Sequence, residues 1–171
     1  MTWNDQFLTL FRSCLEKYKS GNKDFNSYYS AKDLAFLQSI GYKPRELFDF
    51  IEDLADEGSP SESTALLIAS VRRDYLHTVQ SGKISTHEIN AHDLPTFGDT
   101  LDGINYLPRI LTKARAKLKG ELNPDIMYGC GGDRNFFKKH GNIPPSDFLR
   151  NVWACGENDQ HIIDYLRAQS A

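Results

Sequence analysis

Apolar side chains recur at helical spacing along most of the chain. Phe7, Leu8, Phe11, Leu15 and Tyr18 fall on one face of a first predicted helix, which closes near Gly21. A second runs from Ser30 to about Ile40. It opens with Ser30-x-x-Asp33, a capping box with Asp in the place of Glu, and Gly41 ends it. Pro44 opens a third helix at the position where its missing N–H costs nothing. Leu47, Phe48, Ile51, Leu54 and Ala55 form its inner stripe and Gly58 its stop. A fourth lies within residues 59–82. Its centre, residues 65–71, is apolar nearly all round, which predicts the most buried element.

Residues 82–103 lose the periodicity and carry Gly82, Pro95, Gly98 and Gly103, so a linker or boundary loop is expected there. Helical spacing resumes over 107–119, up to Gly120, and again over 133–140, 146–154 and 158–168. No segment alternates with period two. The pattern predicts an all-α fold of about eight helices, with an N-terminal helical unit (1–81) and a C-terminal one (104–171) sharing one core.

Sliding the chain by one hundred positions brings Tyr28 onto Tyr128, Asp33 onto Asp133, Phe36 onto Phe136, Gly41 onto Gly141, Pro44 onto Pro144 and Phe48 onto Phe148, with Leu37 on Phe137. These are capping, breaking and core positions. The coincidence fits either a duplicated helical unit or convergence on one helix–Gly–Pro–helix solution.

Composition narrows the function classes. A 40% apolar and 25% charged chain with 12% aromatics has the balance of a folded globule. The net charge of −3 argues against a protein that coats a nucleic-acid backbone, because phosphate neutralisation needs a basic surface. Three cysteines without a Cys-x-x-Cys pair argue against a disulfide framework or a zinc site and predict a reducing compartment. No apolar run reaches the roughly 20 residues that span a bilayer, and "MTWNDQFLTLF" lacks the signature of a signal peptide. The cytoplasm is the expected location, with no membrane partner. Trp3, Tyr28 and Tyr29, if exposed, would offer a surface for a homo-oligomer.

The candidate chemistry lies in three places. On the 107–119 helix, Arg109 and Lys113 share one face and Arg115 and Lys119 another. They either present cations to a small anionic ligand or pair with carboxylates of neighbouring helices. In the third helix, Asp49, Glu52, Asp53 and Asp56 lie along one face. Arg72 and Arg73 of the next helix are expected to join Asp49, Glu52 and Asp53 in a structural charge network. Asp74-x-x-His77 is too little for a di-metal site, so neither a metal nor a cofactor is expected. His87 and His92 of "HEINAH" stand five apart rather than four and do not form the zinc-protease motif.

The third place is "YGCGGDR", residues 128–134. Its glycines lack the Gly-Lys-Ser/Thr ending of a phosphate loop. Tyr128 reads as an anchor and Asp133 as a cap or first-turn charge, the natural partner of the cationic helix. Cys130 is the one residue with no structural task in that reading. A ligand set of Arg109, Lys113, Arg115, Tyr128, Asp133 and Arg134 follows, with Cys130 and Asp133 as the catalytic candidates of an enzyme.

Several of these motifs together resemble a bacterial family, the domain of unknown function 5069. Its pattern of Leu-Pro-Arg, Lys-x-Arg-Ala, a Gly and Tyr-x-Cys-x-x-Asp falls on Leu107, Pro108, Arg109, Lys113, Arg115, Ala116, Gly120, Tyr128, Cys130 and Asp133, within residues 103–167. Thr112 departs from the family's Asp, Gly131-Gly132 replace a Pro-Leu-like pair, and the stretch from Gly120 to Tyr128 is longer. The resemblance implies that Arg109, Lys113, Arg115 and Asp133 act together, but it carries no activity. Two functions are therefore expected in competition. One is a non-enzymatic module binding a protein or a small anionic ligand. The other is an enzyme acting on a small acidic substrate between the 107–119 helix and the 128–134 loop.

Overall fold

The computed structural model describes residues 1–170. Among them are eight α-helices and one two-stranded hairpin, so the chain is all-α. It divides into two compact units, Met1–Lys83 and Ile84–Ala171. No helix among the described residues is long and apolar enough to cross a membrane.

The first unit holds α1 (Trp3–Lys19), α2 (Ala31–Ser39), α3 (Pro44–Glu57) and α4 (Glu62–Thr78). Reciprocal capping boxes start α1 (Thr2 with Asp5) and α2 (Ser30 with Asp33), so two orphan amides at each end are satisfied by side chains. α1 packs on α3 and α4, enclosing Phe7, Phe11, Cys14, Leu47, Ile51 and Ile68, each with no exposed surface. α4 is less enclosed than its apolar centre predicts: Leu67 is 45% exposed. Tyr28 is buried rather than exposed, and its hydroxyl donates to the Asn22 carbonyl. Tyr29 donates to the Pro44 carbonyl at 2.9 Å.

The charges of this unit are arranged differently from the expected network. Arg45, one turn before Asp49 on the same helix, takes both Asp49 (Nε–Oδ1 2.7 Å) and Glu52 (3.6 Å). Arg73 lies over the Trp3 ring at 5.2 Å and meets its neighbour Asp74 at 3.2 Å. Arg72 is wholly buried and donates from Nε to the Gly41 carbonyl (3.1 Å) and from Nη1 to Gln80 Oε1 (2.8 Å). Asp53 is half-buried on α3.

Burial raises the Asp49 carboxyl to about 6, and Arg45 offsets this only in part. The folded form therefore binds this proton more tightly than the unfolded chain. The resulting stabilisation is complete below the ordinary carboxylate range and is lost as pH rises through about 6. Asp49→Asn is expected to flatten this part of the stability curve and to stabilise the protein at neutral pH by about 2 kcal/mol. Denaturant midpoints of both proteins across the acid range check it; parallel curves refute it.

The second unit begins within the segment expected as a linker. Residues 84–103 belong to it: Ile89 N–H donates to the Glu121 carbonyl (2.9 Å), and Leu94 is buried. The hairpin pairs β1 (Thr100–Leu101) with β2 (Ile104–Asn105), Leu101 opposite Ile104. Asp102 and Gly103 turn it with φ of 52° and 76°, the left-handed pair that a two-residue hairpin turn requires. Then follow α5 (Leu107–Lys119), α6 (Gly131–Lys139), α7 (Pro145–Cys155) and α8 (Asp159–Ser170). α7 packs on α5 and α8.

Several positions one hundred residues apart coincide in the two units. α2 and α6 start and stop one hundred residues apart. Burial coincides at Phe7 and Leu107, Leu10 and Ile110, Phe11 and Leu111, Cys14 and Ala114, Tyr28 and Tyr128, and Phe48 and Phe148. Gly41 and Gly141 both take positive φ, 75° and 93°. Coincident buried positions thus occur in α1 and α5 as well.

Candidate functional site

The hairpin delivers Tyr106 to the start of α5 in a left-handed conformation, φ 73° and ψ −15°. A bulky residue occupies that region only when its surroundings hold it there. Here the Tyr106 N–H donates to the Asp99 carbonyl (2.9 Å), and the hydroxyl donates to Asp133 Oδ1 (2.7 Å). The ring contacts Phe97 and Phe136 in tilted geometry, each with its centroid 5.8 Å away.

Asp133 sits in the first turn of α6, where a carboxylate complements the helix dipole and can accept orphan amides. Its Oδ2 accepts from Gly129 N (2.8 Å) and from Lys113 Nζ (2.6 Å). The side chain has no exposed surface, and that of Lys113 has 4%. Lys113 reaches this position because the buried arc of α5 is wide, taking in Leu107, Ile110, Leu111, Ala114 and Leu118 as well. Lys113 Nζ also donates to Cys130 Sγ at 3.3 Å. Burial, then the Asp133 charge, raises the Tyr106 hydroxyl well above its usual range, so it stays a donor.

The structure thus brings together Lys113, Asp133 and Cys130 of the predicted set. It adds Tyr106, which sequence reasoning missed. The remaining cations go elsewhere. Arg109 donates to the Pro95 carbonyl (2.8 Å) and lies over the Phe97 ring (4.3 Å). Arg115 holds the turn after α7 through the Gly156 carbonyl (2.9 Å) and Asp159 (2.5 Å). Arg134 donates to the Gly129 carbonyl (2.8 Å). Tyr128 is buried, its hydroxyl donating to the Pro145 carbonyl (2.7 Å), and burial holds it protonated. Arg109, Lys113 and Arg115 are therefore directed at three separate places.

Chemically, the centre is a closed polar cluster. One Asp133 oxygen serves Tyr106; the other serves Lys113 and Gly129. A buried carboxylate so engaged braces α5, α6 and the hairpin against one another and offers little capacity for proton transfer to a ligand. The glycine at 132 serves the same packing, since a Cβ there would stand 3.1 Å from the Tyr106 hydroxyl oxygen. Cys130, half-buried at the N-cap of α6, is the member of the cluster with both a reactive atom and partial access to solvent. Among the described residues no group of three or more His, Cys, Asp and Glu side chains gathers to hold a metal ion.

No curated protein and no solved structure matches the chain. Tyr106, Lys113, Cys130 and Asp133 all fall in a segment that does have a match: residues 94–171, the C-terminal part of the chain, match the family model described as a domain of unknown function (DUF5069).

Proposed function

We propose that this chain is a non-catalytic binding module made of a duplicated helical unit, with a protein surface rather than a small anion as its partner. The observation that carries the reading is the direction taken by the charged side chains around α5. Lys113 and Asp133 hold each other in the interior, and Arg109, Arg115 and Arg134 each cap a backbone carbonyl of their own unit. An anion site or an acid–base centre would need some of these groups directed at a ligand. The matching bounds of α2 and α6, the coincident buried positions and the left-handed Gly41 and Gly141 support the duplication, as expected when one supersecondary unit is used twice. Phe97, 68% exposed above the Arg109 guanidinium, is an aromatic–arginine pair of the kind that anchors protein interfaces.

A thermal-shift series with inorganic phosphate, malonate, ATP and magnesium ions tests this reading. An anion present at a hundred times its dissociation constant would stabilise by about 2.7 kcal/mol. The expected result is no stabilisation by any of them. A shift with phosphate or malonate that disappears in Arg109→Ala or Arg115→Ala would overturn the reading in favour of an anion site.

A further inference from the structure

The three cysteines have different surroundings. Cys14 is enclosed in the first unit, where burial raises its thiol to about 11. The Cys155 sulfur faces the Val152 and Gly156 carbonyls. Cys130 accepts a hydrogen bond from an amine that is itself paired with a carboxylate, Lys113 Nζ at 3.3 Å from its sulfur and Asp133 Oδ2 at 2.6 Å from that nitrogen. The binding reading leaves this arrangement unused, since bracing α5 to α6 needs Lys113 and Asp133 but no thiol.

We propose that Cys130 and Lys113 form a reversible sulfur–nitrogen cross-link when the protein meets a peroxide. In the first step Cys130 loses its proton to water and its sulfur attacks one peroxide oxygen. The O–O bond breaks, leaving Cys130 as a sulfenic acid and releasing water; sulfur is oxidised by two electrons and the peroxide reduced by two. In the second, Lys113 hands a proton to Asp133 Oδ2, and the neutral Nζ attacks Sγ. The N–S bond forms, the S–O bond breaks, and the departing hydroxide takes one further proton from the nitrogen and leaves as water. The sum is thiol, ammonium, carboxylate and hydrogen peroxide giving a sulfenamide, a carboxylic acid and two waters, balanced in atoms and charge.

Three features of the site favour this course over continued oxidation. Partial exposure of Cys130 admits a small peroxide. The buried Lys113 is held beside the sulfur, so condensation is intramolecular and gains the rate advantage of a fixed neighbour. The reaction also removes the positive and the negative charge of the buried pair together. Protonated Asp133 keeps the donors Tyr106 and Gly129 N–H, and no charge is stranded. An external thiol attacking Sγ would release the amine, and a second would return the free cysteine.

The full-length protein, treated with hydrogen peroxide, alkylated with iodoacetamide and mapped without reduction, tests this. The expected product is lighter by about 2 Da, for the loss of two hydrogens. Trypsin should no longer cut after Lys113, and one peptide should join Lys113 to Cys130. Dithiothreitol should restore both the trypsin cut and alkylation of Cys130. Three outcomes overturn the proposal: Cys130 heavier by about 32 Da as a sulfinic acid with Lys113 still cleavable, Cys130 in a disulfide with Cys14 or Cys155, or Cys130 alkylated in full after peroxide. Because the readout is a bond in the wild-type protein, the result does not depend on whether the binding reading of the chain is right.

Discussion

Asp133→Ala is expected to destabilise the second unit by about 3–5 kcal/mol, because it leaves the buried Lys113 ammonium without its counter-charge. The same change deprives the Tyr106 hydroxyl and the Gly129 N–H of their acceptor. Each unsatisfied buried donor carries a further penalty of about 1–3 kcal/mol unless water or backbone movement relieves it. Asp133→Asn keeps an oxygen for one donor but loses the charge, and should fall between wild type and alanine. Lys113→Met in the Asp133→Asn background should recover much of the loss, since removing both charges of a buried pair is far milder than removing one. Hydrogen exchange is the suitable measurement. It reads the amides of α5 to α7 directly, with those of α1 to α4 as the reference within the same molecule. A loss below about 1 kcal/mol for Asp133→Ala, or no recovery in the double variant, would show that the pair is not the brace described above.

The helices were legible because their ends are written in local chemistry. Ser30 with Asp33, Pro44, Gly58 and Gly120 act within a turn or two of where they stand, and each occupies the cap or first turn of a helix that the spacing predicts. The hairpin was missed because two-residue strands are too short to show an alternating pattern. Its only signal is Asp102-Gly103, the residue pair suited to a left-handed turn. Tyr106 was lost with it. Nothing in a tyrosine announces a left-handed backbone; the hairpin imposes it.

Partner choice was the least legible feature. Lys113 was grouped with Arg109 because they are four apart, which is correct as helix geometry. The boundary of the buried arc nevertheless runs between them: Lys113 is enclosed with Ile110 and Ala114, whereas Arg109 lies at the edge over Phe97. In the first unit Asp49 and Glu52 meet Arg45, four residues before Asp49 on the same helix, and not the arginines expected from the next one. A contact along one helix face is fixed by the helix itself, whereas a cross-helix contact depends on packing that a sequence does not state. Asp133 as a first-turn carboxylate was readable, since that role is local.

Arg72→Ala is expected to lower the stability of the first unit by about 3–5 kcal/mol, as a large buried side chain and its hydrogen bonds are removed at once. The guanidinium donates to the Gly41 carbonyl and to Gln80, so it ties α4 to the turn that ends α2. Arg72→Met, which keeps much of the volume and none of the donors, should lose less than alanine; the difference separates packing from hydrogen bonding. The same contact bears on why residue 41 is glycine. Its φ of 75° disfavours any side chain, and a Cβ there would lie 2.7 Å from the Arg72 Cζ. Gly41→Ala should therefore carry two penalties in the wild type, about 1–2 kcal/mol of left-handed backbone strain and a steric conflict with the guanidinium. In the Arg72→Ala background only the first remains. Denaturant unfolding of the four proteins closes the cycle. If Gly41→Ala costs the same in both backgrounds, backbone conformation alone selects the glycine and the approach of Arg72 merely follows from it.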